Sequence, residues 1–197
     1  MKTPVDHNNL SSQKEYFEYI QSITWRGRLY KKFFLYPSLR RLVRGRMMDI
    51  GCGDGEFISK INQSIGVDIN PFCIQYIKTM GMEGYHYDSY PLNFEEESFD
   101  TLFCDNVIEH IEDPSDLINE MHRLLKKSGT LIIGVPTYKG FHSQVDHKVF
   151  YDEQRLEETF NNFGFKKSKF FYMPFASKWL EKNLSAHCLY AVFTKIV

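Results

Sequence analysis

The chain has 197 residues, of which 43% are hydrophobic, and its formal net charge is −1; this composition excludes a disordered chain, and the charge points to no class of partner. The four cysteines are far apart and form no C-x-x-C pair, so the sequence predicts no disulfide framework and no metal site, and it is typical of a protein of the reducing cytoplasm. No apolar run has the length of a transmembrane helix, and the first residues lack the pattern of a signal peptide.

Residues 1–45 are predicted to form a helical lid over the rest of the chain. Residues 1–10 are polar and should form no element. Apolar side chains then recur at helical spacing, at Tyr16, Phe17, Ile20 and Ile23. A second helix is predicted over residues 28–36, and Pro37 should interrupt it.

From residue 46 onward, short apolar segments alternate with amphipathic ones. Strands are predicted at 47–50, 65–68, 84–87, 100–104 and 130–135. Helices are predicted between them at 55–61, 71–80 and 114–127, with Gly129 closing the last one. This alternation indicates an α/β fold with a doubly wound, mostly parallel sheet, and it assigns residues 46–197 to one domain.

The sequence after residue 150 predicts strands that are not joined by a long helix, unlike those before it. Residues 152–162 have the pattern of a helix, and the strand-like segments 165–172 and 187–195 follow with no long helix between them. Two such segments are typical of an antiparallel hairpin, which we expect at one edge of the sheet.

A glycine-rich loop follows the first predicted strand, with Gly51, Gly53 and Gly55 in five positions. Glycine tolerates positive φ and lets a ligand approach the backbone, and the predicted helix start would offer unpaired N–H groups. Glu56 stands where the third glycine of a dinucleotide fingerprint would be. A carboxylate at that position disfavours a pyrophosphate and favours a ligand with an amino-acid end, whose amine Asp49 would receive.

An acidic residue ends the second predicted strand. Asp68 lies 17 positions after Gly51, and a carboxylate at such a strand end can bind the two hydroxyls of a ribose. A helix N-cap is the alternative role, but Asn70 can cap the helix that begins at Pro71, which leaves Asp68 for the ligand.

These features, taken in order, resemble the motifs of the class I S-adenosylmethionine-dependent methyltransferases. The resemblance rests on the segments MDIGCGDGEF (48–57), GVDIN (66–70), YDS (87–89), CDNVIEHI (104–111) and LLKKSGTLIIGVP (124–136). It implies a Rossmann-like methyltransferase fold with a seven-stranded sheet, S-adenosylmethionine as cofactor and S-adenosylhomocysteine as product. More loosely, the aromatic N-terminal segment resembles small-molecule methyltransferases of quinone biosynthesis and surface-polysaccharide clusters.

The resemblance implies a role for each matching residue. The glycine loop would lie under the methionine part of the cofactor, Asp68 would bind the ribose and Ile69 would pack on the adenine. Asp88 would accept from the adenine amino group beside Ser89. The sulfonium would be bordered by Asp105 and Asn106. The implied cofactor residues are therefore Asp49, Gly51, Cys52, Gly53, Gly55, Asp68, Ile69, Asp88, Ser89, Asp105 and Asn106.

Three histidines are candidates for a catalytic base, which is needed if the acceptor is a hydroxyl. His142 and His147 follow the fifth predicted strand, and Asp146 lies beside His147. His110 follows Glu109 within the segment that resembles the fourth family motif. The preferred hypothesis is methyl transfer to a hydroxyl oxygen of a small molecule, which would be anionic, sugar-like or quinone-like.

Three other functions stay open at this stage. The chain could be a non-catalytic cofactor-binding module or, against the evidence of Glu56, an NAD-dependent oxidoreductase. It could also be an RNA methyltransferase, because residues 26–46 carry eight basic residues and no acidic one. The sequence shows no base-stacking platform, which disfavours a nucleic-acid partner.

Overall fold

The computed structural model describes residues 9–22 and 24–196. The expectations for residues 1–8 and for Ile23 lie outside this part of the chain. Among the helices of the described residues, none combines the length and hydrophobicity that crossing a membrane requires.

A seven-stranded sheet organises the fold, in the order β3-β2-β1-β4-β5-β7-β6. The strands are β1 Met47–Ile50, β2 Ser64–Asp68, β3 Gly84–His86, β4 Phe99–Asp105, β5 Leu125–Pro136, β6 Phe165–Met173 and β7 Cys188–Lys195. The first five pair in parallel, whereas β7 is antiparallel to both β5 and β6. The predicted α/β class, the mostly parallel doubly wound sheet and the antiparallel edge hairpin are confirmed.

Eight α-helices accompany these strands within the described residues. They are α1 Leu10–Gln21, α2 Trp25–Tyr30, α3 Tyr36–Arg40, α4 Pro71–Thr79, α5 Ser115–Leu124, α6 Tyr138–Phe141, α7 Glu153–Asn161 and α8 Lys178–Asn183. A π-helical turn, Lys31–Leu35, joins α2 to α3.

The alternation of side chains along each strand divides the core between the two faces of the sheet. Met48 packs in one cluster with Ile118 of α5, and the neighbouring Met47 packs in the other with Leu39 of α3 and Ile77 of α4. Buried apolar side chains on both faces are what a parallel sheet covered by helices requires. The carboxyl ends of β1, β2 and β4 therefore lie side by side at one edge of a rigid layer.

Two of the predicted helix boundaries at proline and glycine are wrong. The helical path continues through Pro37, because the π turn widens the helix just before it and relieves the clash of the proline ring with the preceding turn. Helix α5 ends at Leu124, and the turn into β5 is made by Ser128 with φ of 59°. Gly129 is not a helix cap; a Cβ there would lie 2.8 Å from the carbonyl oxygen of Lys126.

The predicted helix at 55–61 is also wrong. Gly55 has φ of 72°, which interrupts any helical path, and only a short 3-10 turn, Ile58–Lys60, follows it. The glycine loop therefore has no helix N-terminus behind it, and a helix dipole makes no contribution to binding there.

Gly51 allows a test of how tightly the glycine-rich loop after β1 is packed. Its φ is 76°, and a Cβ on it would clash with the Cγ2 methyl of Val107. Gly81 has the same φ of 76° but open space within 4 Å of the added atom. Each alanine substitution should lower the free energy of unfolding by about 1–2 kcal/mol, because a side chain strains the left-handed backbone. Gly51→Ala should lower it by at least about 1 kcal/mol more, because the added methyl group overpacks the site.

Urea unfolding of the two glycine variants and the wild type would measure this difference. Equal losses of unfolding free energy in Gly51→Ala and Gly81→Ala would show that Val107 does not confine the loop.

Candidate active site

A cavity of about 1170 Å³ opens at the carboxyl ends of β1, β2 and β4. In an open parallel sheet this is the crevice in which ligands bind. Most of the predicted cofactor residues line it, namely Asp49, Gly51, Cys52, Gly53, Asp68, Ile69, Asp88, Ser89, Asp105 and Asn106. Gly55 does not line the cavity, because its Cα faces Ile77 and Met82 in the core.

The glycine loop presents bare backbone to this cavity. The N–H groups of Gly51 and Cys52 both donate to the carbonyl oxygen of Val67, which fixes the start of the loop against β2. At Gly53 the φ is 53°, and among the described residues outside its chain neighbours only the Cδ1 of Ile20, at 3.7 Å, lies within 4 Å of an added Cβ. Gly53 therefore leaves room for a ligand to approach the main chain.

Asp68 connects the glycine loop to the end of β2. Its Oδ2 accepts from the N–H of Gly53 at 2.8 Å, and its Oδ1 accepts from the N–H of Asn70 at 2.7 Å. Asn70 caps α4 by accepting from Phe72, as predicted, and its side-chain amide donates to the Gln13 carbonyl of α1. Each carboxylate oxygen of Asp68 keeps a lone pair for a ligand while its position is fixed.

Several buried carboxyl groups converge in the cavity. Burial, followed by repulsion from Asp105 and Asp68, raises the pKa of Asp49 well above its usual value. Burial also raises the pKa of Asp105 to about 6, although the hydroxyl of Tyr190 and the amide of Asn106 both donate to its carboxylate. Buried carboxylates held this close together favour a ligand that carries positive charge.

The residues predicted to bind the adenine lie at the rim of the cavity. The side chain of Asp88 is 86% exposed and lies 3.4 Å from Nε2 of His86. The same nitrogen of His86 is 3.0 Å from the carbonyl oxygen of Ile69. His86 therefore ties the segment that carries Asp88 to the end of β2.

The three predicted histidines occupy different environments. Among them, only His110 lines the cavity, and its Nδ1 lies 3.3 Å from Oδ2 of Asp146. The side chain of His147 is 2% exposed and lies behind His110, with the ring centroids 4.7 Å apart. His142 is exposed, lies outside the cavity lining, and its ring contacts that of Tyr138 at a centroid distance of 4.4 Å.

Several contacts between cavity residues escaped the sequence analysis. Tyr190 reaches Asp105 from β7, and the hydroxyl of Tyr36 donates to Glu56, whose carboxylate also lies 3.5 Å from Nζ of Lys31. Glu56 itself lines the cavity, which agrees with the argument against a pyrophosphate. No local pattern indicates the Tyr190 contact, because it depends on β7 pairing with β5 across more than fifty residues of intervening chain.

Residues 48–133 match the family model described as a methyltransferase domain. These residues are therefore similar to a methyltransferase domain. The solved structure of an S-adenosylmethionine-dependent methyltransferase from Thermotoga maritima has a TM-score of 0.70 and 21% identity, and the match covers 93% of this chain and 97% of that one. The predicted fold and methyltransferase family, with S-adenosylmethionine as the cofactor of that family, are confirmed.

Curated relatives extend beyond the methyltransferase domain that they share with this chain. An uncharacterised protein of Methanocaldococcus jannaschii is 31% identical over 121 residues, which cover 61% of this chain and 57% of the relative. The ubiquinone biosynthesis O-methyltransferase of Xanthomonas oryzae pv. oryzae is 29% identical over 110 residues, covering 50% and 46%. The tRNA U34 carboxymethyltransferase of Sulfurimonas denitrificans is 28% identical over 133 residues, covering 58% and 42%. The chain thus spans about half the length of these relatives.

Asp105 should make cofactor binding depend on pH. A cation beside this carboxylate favours its ionised form, so binding lowers its pKa and releases a proton below about pH 6. The affinity for S-adenosylmethionine should therefore fall as the pH is lowered, by up to about tenfold one pH unit below the pKa of Asp105.

Titration calorimetry between pH 5 and pH 8 would measure this dependence. In Asp105→Asn the part of the dependence centred near pH 6 should disappear. The same dependence in the variant and the wild type would assign it to another group.

Proposed function

We propose that this protein binds S-adenosylmethionine in the cavity and transfers its methyl group to a hydroxyl oxygen of a small-molecule acceptor. The observation that carries the proposal is the arrangement of Asp49, Asp68 and Asp105 around the open backbone of Gly53. S-adenosylmethionine carries a sulfonium and an ammonium against one carboxylate, so its net charge is positive. A cavity of buried carboxylates suits that charge, whereas the two phosphates of NAD would be repelled.

In this proposal the cofactor lies along the strand ends. Asp68 binds the ribose hydroxyls with the lone pairs that Gly53 and Asn70 leave unused. Asp49 receives the amine of the methionine part, and the sulfonium lies near Asp105 and Asn106. Ile69 packs on the adenine at the rim, where Asp88 and Ser89 are available to its amino group.

The reaction requires alignment more than activation. A lone pair of the acceptor oxygen forms the new bond to the methyl carbon, and the carbon–sulfur bond breaks with its electron pair going to sulfur. The products are a methyl ether and S-adenosylhomocysteine, and the hydroxyl proton passes to a base, the role for which His110 is the candidate. Because the methyl group is already activated by the sulfonium, holding the two reactants in line supplies much of the rate.

We propose that His110 contacts the acceptor hydroxyl. Among the three candidate histidines it alone lines the cavity, and Asp146 orients its ring through Nδ1. The other nitrogen, Nε2, is then available toward the acceptor. His147 would act through His110 as a positioning residue, since its side chain is buried.

The N-terminal helices support a small acceptor. Tyr16 and Ile20 of α1 and Tyr30 of α2 line the cavity, and the Asn70–Gln13 hydrogen bond anchors α1 to the domain. We propose that the described part of residues 1–45, namely residues 9–22 and 24–45, forms a lid that closes over the cofactor and acceptor and excludes water. A volume of about 1170 Å³ is enough for the cofactor and a compact second molecule.

The acceptor itself is open to direct test. Release of S-adenosylhomocysteine would be followed with phenolic, quinol, sugar and tRNA acceptors in parallel. Turnover with a small hydroxyl compound supports the proposal. Turnover with tRNA alone would contradict a small-molecule acceptor and indicate RNA as the substrate. The tRNA-modifying relative and the exposed arginines among residues 26–46 would agree with that result.

Asp68→Asn tests the binding of the cofactor. The substitution keeps the shape of the side chain but removes the charge and one acceptor of a buried site, so affinity for S-adenosylmethionine should fall by more than about tenfold. Glu112→Gln is the matched control, because the side chain of Glu112 is 80% exposed.

Calorimetry on both variants, with thermal melts to confirm folding, gives the answer. Equal affinity in folded Asp68→Asn and in the wild type would remove the assignment of the ribose to Asp68.

His110→Ala tests the contact with the acceptor. Turnover should fall by at least about a hundredfold, while affinity for S-adenosylmethionine stays unchanged. His122→Ala serves as the control, because His122 lies on α5 against Phe165 and outside the cavity lining. The measurements are initial rates and cofactor calorimetry; a parallel loss of both quantities in His110→Ala would make the residue a structural one.

A further inference from the structure

Three side chains that bind metals in other proteins converge beside the cavity. Glu109 and His110 belong to the short helical turn that follows β4, and His147 comes from the loop after α6. One ligand-type atom of each residue lies within 4.8 Å of those of the other two. The N–H groups of Lys148 and Val149 donate to the carbonyl oxygen of Glu109, at 2.8 and 3.0 Å, and hold the His147 loop in place.

Glu109 is a buried carboxylate that needs a partner. It is 1% exposed, and neither of its side-chain oxygens has a hydrogen-bond partner among the described residues. Leaving such a group unpaired is costly, and buried charges are normally paired or coordinate metals.

Both histidines are oriented as metal ligands are. The Nδ1 of His147 lies 2.8 Å from the carbonyl oxygen of Phe141, so it carries the proton and leaves Nε2 unprotonated. The Nδ1 of His110 faces Asp146 at 3.3 Å. A metal-binding imidazole typically donates the N–H of its other ring nitrogen to a carboxylate or a backbone carbonyl. Here the partner is a carboxylate for His110 and a backbone carbonyl for His147.

The distances favour coordination over a direct hydrogen bond. Nε2 of His147 lies 3.9 Å from Oε1 of Glu109, which is too long for a hydrogen bond. In a tetrahedral zinc site, two ligand atoms that each lie about 2.1 Å from the ion are about 3.4 Å apart. The ligand atoms of the three residues lie within 4.8 Å of one another, so the most distant pair would have to approach by no more than about 1.4 Å.

We propose that Glu109, His110 and His147 form a binding site for a divalent transition-metal ion of the Zn²⁺ class. Two imidazoles, one carboxylate and an open position make the donor set of catalytic zinc sites. The open position would face the cavity on the side of His110, and the bound ion, in place of Nε2 of His110, would then contact an oxygen of the acceptor. Only this last role rests on the proposed methyl transfer; metal binding itself does not.

Metal titration of the full chain tests the site without reference to activity. After dialysis against a chelator, the protein should bind one equivalent of Zn²⁺, and Co²⁺ in its place should give a visible absorption spectrum. Glu109→Gln and His147→Ala should each weaken Zn²⁺ binding by more than about a hundredfold, and Asp146→Asn by about tenfold. His122→Ala is the control and should bind Zn²⁺ as the wild type does.

Thermal melts confirm folding, and either of the two ligand variants suffices if the other does not fold. Absence of stoichiometric Zn²⁺ binding by the folded wild type would overturn the proposal. Unchanged binding in a folded ligand variant would do so too, and Glu109 would then be a neutral, protonated side chain beside His147. Calorimetry with S-adenosylmethionine on the metal-free protein separates the two proposals: if the cofactor binds but Zn²⁺ does not, only the metal site fails.

Discussion

The carboxylate of Asp68 is the contact on which the rest of the site depends. It bonds to the N–H of Gly53 and to that of Asn70, and so connects the loop after β1 to the end of β2. Through Asn70 and its hydrogen bond to Gln13, the same network reaches α1. One buried side chain thus positions the bare backbone of the loop, the start of α4 and the helix that covers the cavity.

Electrostatics then distinguishes this cavity from a dinucleotide site that uses the same sheet. The predicted helix after Gly55 is absent, so the loop lacks the positive helix end that binds a pyrophosphate. Burial instead raises the pKa values of Asp49 and Asp105. The free protein holds these carboxylates at a cost in stability, and a cationic ligand offsets it. The same topology of sheet and loop can therefore select a sulfonium in place of phosphates.

The sequence predicted the parts of the fold that local patterns determine. Strands buried on both faces appear as short apolar runs, and glycines at positive φ are required wherever the chain turns sharply beside a ligand. The helix boundaries predicted at Pro37 and Gly129 were wrong for local reasons too. One reason is a π turn and the other is a close backbone contact, and residue propensities indicate neither. The contact of Tyr190 with Asp105 and the approach of His147 to Glu109 arise only when distant segments pair. For that reason a search for cysteine pairs predicted no metal site, whereas the folded chain brings two histidines and a buried glutamate together.

The most direct test of the account is the structure of the protein bound to S-adenosylmethionine. We expect the ribose hydroxyls on the carboxylate of Asp68, the methionine part along Gly51–Gly53 with its amine at Asp49, and the sulfonium near Asp105 with its methyl group directed toward His110. A cofactor bound elsewhere, or an empty cavity at saturating concentration of the ligand, would contradict it.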